Sequence, residues 1–100
     1  MQFSTVNAKG LSRYLVAAHL DPQKLHLHIS EVEPGSRKHD AHTHTGIEVF
    51  YMLEGQATVE VEDERYTIGP NEALALDASR PHGIFNGSPA RMRYMVIITQ

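Results

Sequence analysis

Leu25, Leu27 and Ile29 alternate with His26, His28 and Ser30, the period-two pattern of a half-buried strand, with the leucine and isoleucine side as its expected buried face. Pro34-Gly35 then marks a turn. Glu48 to Leu53 is rich in Val, Phe and Tyr, which suit a pleated surface, and it stops at Glu54-Gly55. Thr58 to Glu62 alternates Val with Glu and meets a charged turn at Asp63-Glu64. Tyr66-Thr67-Ile68 runs into Gly69-Pro70-Asn71, another tight turn, and Ala73 to Leu76 alternates Ala and Leu. His82 to Asn86 is a short segment between Pro81 and Gly87-Ser88-Pro89, and Met92 to Thr99 is a β-branched-rich strand. Leu11 to His19 suits two turns of helix, and its Tyr14-Leu15-Val16 suits a strand as well. Short strands at this even spacing predict an all-β antiparallel sandwich or barrel with little or no helix. Alternation does not choose between the two.

The chain has 100 residues, a one-domain length, and no repeat, low-complexity run or linker divides it, so residues 1–100 are read as one domain. Its 41% hydrophobic and 21% charged content is that of a folded globular protein. A formal charge of −3 with no basic cluster predicts neither nucleic acid nor a membrane surface as partner. The longest apolar stretch, Met95-Val96-Ile97-Ile98, is far too short to span a bilayer. The start, Gln2 to Asn7, has no charged region followed by an apolar one, and a cytoplasmic location is expected.

Cysteine and histidine change the picture more. With no Cys, disulfides, thiolate metal sites and cysteine nucleophiles are excluded, whereas seven histidines point to imidazole and carboxylate coordination. In His42-Thr43-His44-Thr45-Gly46-Ile47-Glu48, the two histidines and the glutamate share one parity, so an unbroken strand turns all three to one face. Same-face neighbours lie about 6.6–6.8 Å apart, a gap that two imidazoles close by converging on one ion. His82 is the best candidate for a fourth ligand, because it follows Pro81 and opens a strand that can pair alongside. His26-x-His28 is also an HxH pair, but no same-face acid follows it closely. It reads as exposed or rim histidines.

The run Gly35…His42-Thr43-His44-Thr45-Gly46-Ile47-Glu48…Gly55 resembles the first motif of the cupins, with one residue more than the usual five between Gly35 and His42. The run Asn71…Asp77-Ala78-Ser79-Arg80-Pro81-His82-Gly83-Ile84-Phe85-Asn86 resembles their second motif in spacing. Here Asn71 stands where the motif has glycine, Asp77 where it has proline and Ser79 where it has the next glycine. Asn and Asp are turn formers, and Asn tolerates the left-handed backbone that glycine would supply. The motifs cover about 35–55 and 71–86 of the chain.

The resemblance implies a single antiparallel cupin β-barrel of jelly-roll type, with one divalent transition metal (Fe, Mn, Ni, Co or Zn) on His42, His44, Glu48 and His82. Parity then turns Phe50 and Met52 inward beside the site, with Ile84 and Phe85 next to His82 and Met92 and Tyr94 on the opposite wall as pocket candidates. Plain core packing is the competing role for these residues. Arg37, His39, Asp40 and Tyr94 are the available acid–base groups, each also readable as an ordinary loop or strand residue. Val49, Tyr51 and Leu53 face outward and are too apolar for water, which fits the homodimers that small cupins form. The expected function is a metalloenzyme acting on a small organic molecule, either dioxygenase-like or a non-redox isomerase or lyase. A barrel that binds or senses a small ligand without turnover is the alternative.

Overall fold

The alternating segments form strands in the computed structural model, which describes residues 2–37 and 40–100. β1 (Phe3–Thr5) and β2 (Leu15–Ala17) make a two-stranded hairpin, and β3 (Leu25–Val32) and β4 (Ser36–Arg37) follow. The rest of the chain supplies β5 (Ile47–Glu54), β6 (Ala57–Val61), β7 (Glu64–Ile68), β8 (Ala73–Asp77), β9 (His82–Asn86) and β10 (Met92–Thr99). Two four-stranded antiparallel sheets, ordered β3-β10-β5-β8 and β4-β9-β6-β7, bring distant segments together. This is the antiparallel jelly-roll arrangement that the resemblance implies. Among the described residues the only helical turn is Pro22–Lys24, begun by Asp21, whose carboxylate accepts the Gln23 N–H at 2.9 Å. The segment Leu11 to His19 is therefore not helical, and its Leu15–Ala17 is a strand. No described helix is long and apolar enough to cross a membrane.

The core lies between the two sheets because their inner faces carry the apolar members of each alternation. Phe50 and Met52 on β5, Met92, Tyr94 and Val96 on β10, and Val59 and Ile84 on the facing sheet are all buried together. Each large apolar side chain fully removed from water contributes about 1.5–3 kcal/mol. Pairing of Tyr94 with Met52 and of Val96 with Phe50 aligns the inner faces of adjacent strands.

β3 reverses the expectation for its faces. Ser30 is buried, Leu25 is exposed, and Leu27 and Ile29 are only half-buried. The cause is register: Ser30 pairs with Tyr94 and His28 with Val96, so the polar members of β3 share the inner face of β10. Leu27 and Ile29 join Ile97 and Met95 on the outer face instead. The N-terminal segment covers part of that side at the free edge of β3, where the Ile29 N–H donates to the Lys9 carbonyl at 2.8 Å.

Candidate metal centre

His42, His44, Glu48 and His82 converge, but not along one unbroken strand. β5 begins only at Ile47, and the chain before it bends at Gly46, where φ is +97°. The residues that share one parity in the sequence therefore come together through a bend and not through an unbroken strand. A Cβ at Gly46 would lie 1.8 Å from the Thr99 carbonyl oxygen, so both the backbone conformation and the close approach demand glycine there.

Backbone bonds position the histidines. The His42 N–H donates to the His82 carbonyl and the His82 N–H to the His42 carbonyl, each at 3.0 Å, making an isolated antiparallel bridge. The His44 N–H donates to the Ala78 carbonyl at 2.9 Å, and the Ala78 N–H to the Gly46 carbonyl at 3.0 Å. The loop before β9 is thus zipped to the bend before β5. Its own shape comes from Asp77, whose carboxylate accepts the Ser79 N–H at 3.0 Å and the Ser79 hydroxyl at 2.7 Å. Those two hydrogen bonds hold the Asp77 carboxyl below its usual pKa. At the other substituted position, Asn71 has φ +64°, the left-handed conformation that glycine would otherwise supply.

The imidazoles are also oriented from behind. Nδ1 of His82 lies 2.8 Å from the Arg80 carbonyl, and Nδ1 of His44 lies 3.0 Å from the Thr45 carbonyl. A carbonyl only accepts, so each bond puts a proton on Nδ1 and turns Nε2 toward the site, the nitrogen that a neutral imidazole would offer to an ion. These Nε2 atoms lie 2.8 Å (His44) and 3.3 Å (His82) from the same oxygen, Oε1 of Glu48. The His42 ring centroid is 5.4 Å from that of His44 and 4.7 Å from that of His82. One ligand atom from each of the four residues lies within 4.8 Å of the others. Hard and borderline donors in this set fit a divalent transition metal, so the residues present suit the group that the fold implies. His82 is fully buried and Glu48 nearly so, while His42 is exposed, so the site opens on the His42 side.

A cavity of about 160 Å³ adjoins the cluster. Of the pocket candidates, Phe50, Ile84 and Tyr94 line it, and the Phe50 and Tyr94 rings meet edge to face at 5.9 Å. Met52 and Met92 are fully buried in the core and do not line it. Phe85 is half-buried beneath the Arg37 guanidinium, 5.3 Å from its ring centroid, and does not line it either. Parity separates Phe85 from Ile84, because neighbours on one strand point to opposite faces. Among the acid–base candidates, Asp40 and Tyr94 line the cavity, Arg37 pairs with Glu60 at 2.8 Å, and His39 lies outside the described residues. Sequence reasoning missed His28, Ser30, Val96 and Ile98 as lining residues. Once Tyr94 is turned inward, antiparallel pairing of β3 with the last strand is the signal that would have found Ser30 and His28.

A profile of the cupin domain matches residues 28–98. No curated protein sequence matches the chain. Among solved structures, the cupin domain of an XRE family transcriptional regulator from Enterobacter cloacae is 20% identical, with a TM-score of 0.71 over 78% of this chain and 83% of that one. The Thermus thermophilus protein TT1209 is 22% identical, with a TM-score of 0.72 over 98% of this chain and 83% of that one. A sugar phosphate isomerase of the cupin superfamily from Silicibacter pomeroyi is 21% identical, with a TM-score of 0.67; the alignment covers 77% of this chain and 51% of that one. With both motifs in register, the jelly-roll topology and a profile match across most of its length, this chain belongs to the cupin family.

Proposed function

We propose that the chain is a mononuclear divalent-metal protein that binds a small organic molecule in its cavity and transforms it. The observation that carries this reading is the convergence of the Nε2 atoms of His44 and His82, whose Nδ1 atoms each face a backbone carbonyl, on one buried carboxylate oxygen. A divalent ion there supplies Lewis acidity toward a carbonyl or enediolate, or a place for dioxygen beside an enolate, catecholate or thiol. The protein's part is to hold the four donors and to surround the ligand with Phe50, Ile84, Val96 and Ile98, which exclude water. Asp40 and Tyr94 are the groups that can exchange a proton with a molecule bound there.

The test is metal analysis of protein purified without a histidine tag, followed by a Co(II) titration read by absorbance. One ion per chain, lost in Glu48→Ala, is expected; no stoichiometric metal overturns the reading. Dioxygen uptake by the Fe(II)-loaded protein across a substrate panel separates oxidative from non-redox chemistry. A ligand-sensing role without turnover is the second reading, favoured by the likeness to a cupin domain within a transcriptional regulator. It predicts ligand binding and no product.

We further propose a homodimer. Val49, Tyr51, Leu53, Met95 and Ile97 form a half-buried apolar band on the outer face of the β3-β10-β5-β8 sheet.

A further inference from the structure

Arg37 is neither a candidate ligand nor part of the cavity wall, yet its guanidinium packs beside the chain neighbours of both His42 and His82. It pairs with Phe85 across the β4–β9 ladder, and the guanidinium covers the Phe85 ring, 5.3 Å from the centroid. From there the side chain crosses β9 to reach Glu60 on β6, with Nη2 2.8 Å from Oε1. Glu60 pairs directly with Gly83, so the crossing passes over that glycine. A Cβ at Gly83 would lie 3.6 Å from Arg37 Nη1 and 3.6 Å from Ala41 Cα. Gly83 is not among the glycines of positive φ, so its backbone conformation does not call for glycine. What the missing side chain provides is a notch on β9 that the guanidinium and Ala41 share.

Charge keeps the strap in place. Glu60 Oε1 is buried and makes no directional hydrogen bond among the described residues, so the Arg37 guanidinium is what offsets its charge. Arg65 reaches only the other oxygen, at 3.4 Å, and is mostly exposed. A guanidinium is flat, always charged and able to lie on an aromatic face, so one side chain can cover Phe85, fill the notch and pair with Glu60. Ala41 shares that notch, and the next residue is His42, the most exposed of the four candidate ligands. The His42 backbone meets β9 in one isolated bridge to His82, which fixes a point of the chain but not its direction. After the bridge, the His44 N–H is held by the Ala78 carbonyl. Before it, the seat of Ala41 over Gly83 supplies the second point.

We propose that Arg37 is a positioning residue for His42: strapped across Gly83 to Glu60, it keeps Ala41 seated on β9 and so holds the His42 imidazole in the cluster with His44, Glu48 and His82. The consequence for metal affinity rests on the reading of that cluster as a metal site; the seating of His42 does not. Charge alone predicts the opposite effect on a metal ion. Removing a cation near the cluster and leaving Glu60 unopposed makes the surroundings more negative, which favours a divalent ion. Losing a strap that holds a ligand weakens binding instead. The sign of the change separates the two.

Amide hydrogen exchange in the metal-free protein tests the seating directly. The His42 N–H donates to the His82 carbonyl, and Arg37→Met should speed its exchange about tenfold relative to the His44 N–H, which Ala78 holds. In a Co(II) titration read by absorbance, Arg37→Met should weaken binding about tenfold. It should have no further effect in a His42→Ala background, the non-additivity expected of one residue acting through another. Gly83→Ala should behave as the wild type, because its Cβ meets only ordinary contacts. Gly83→Leu should reproduce Arg37→Met with the charge intact, and it serves as the test where Arg37→Met does not fold. Unchanged His42 exchange in these two variants overturns the proposal. So does Co(II) binding that is as tight or tighter in Arg37→Met, or losses that add in the double variant. A wild type that takes no Co(II) defeats the metal reading alone, because exchange at His42 still decides this one.

Discussion

Glu48 is the side chain to which the other candidate ligands are referred. Its Oε1 faces the Nε2 atoms of His44 and His82, and it is itself nearly buried on the second residue of β5. Glu48→Ala should weaken Co(II) binding by at least about a hundredfold while the far-ultraviolet circular dichroism stays that of a folded β protein. The barrel survives because the residue lines a cavity beside the packed core. Unfolding of that variant would instead make the site structural. Protons compete with metal for imidazole nitrogen, so affinity should fall as the solution is acidified. Isothermal titration from pH 8 to pH 5 checks this, and unchanged affinity would remove the histidines from the ligand set. At this scale the four residues were legible because short spacing and the two motifs both mark them. Ser30 and His28 were not, because hydropathy alternation takes the apolar side of a strand as its inner side. A cavity lined by the Ser30 hydroxyl and the His28 imidazole reverses that rule on β3.

The element that sets the site's shape is the loop between β8 and β9, which supplies the Ala78 carbonyl to His44 and the Arg80 carbonyl to His82. Asp77 and Ser79 replace the proline and glycine of the motif with a side-chain-closed turn. The Asp77 carboxyl is held below its usual pKa, so ionised Asp77 contributes stability that is complete above about pH 3.9. That contribution is lost as pH falls through the lowered value. Asp77→Asn keeps the shape without the charge, so its melting-temperature deficit at pH 6 should shrink by pH 2.5. Equal deficits at both pH values would deny the carboxylate its role in the turn. On the facing bend, Gly46→Ala meets a carbonyl oxygen and an unfavourable φ together, and should cost roughly 2–4 kcal/mol in chemical denaturation. A loss within about 0.5 kcal/mol would mean that the bend adapts. Element positions were read well from turn residues and period-two runs, since both are local. Leu11 to His19 was ambiguous because its neighbours, absent from a sequence window, decide between helix and strand.

For the whole molecule, the proposed dimer surface is the outer face of the β3-β10-β5-β8 sheet. Ile97 sits centrally on it, paired with Leu27 on one side and Val49 on the other. Ile97→Glu puts a charge into that band. It should convert a dimer to a monomer in analytical ultracentrifugation while leaving Co(II) stoichiometry at one per chain. A wild type that sediments as a monomer would remove the dimer proposal. By itself, the sequence determined the strand-rich class, most strand positions and the identity of the candidate ligands, because period-two alternation, turn chemistry and motif spacing are properties of neighbouring residues. Only the tertiary structure decided which face of β3 looks inward, how the chain bends at Gly46 to gather the ligands, and that Arg37 crosses β9 to reach Glu60. Those outcomes depend on pairing between segments as far apart as Ser30 and Tyr94. Register across such distances is set by packing of the whole barrel and leaves no local mark in the chain.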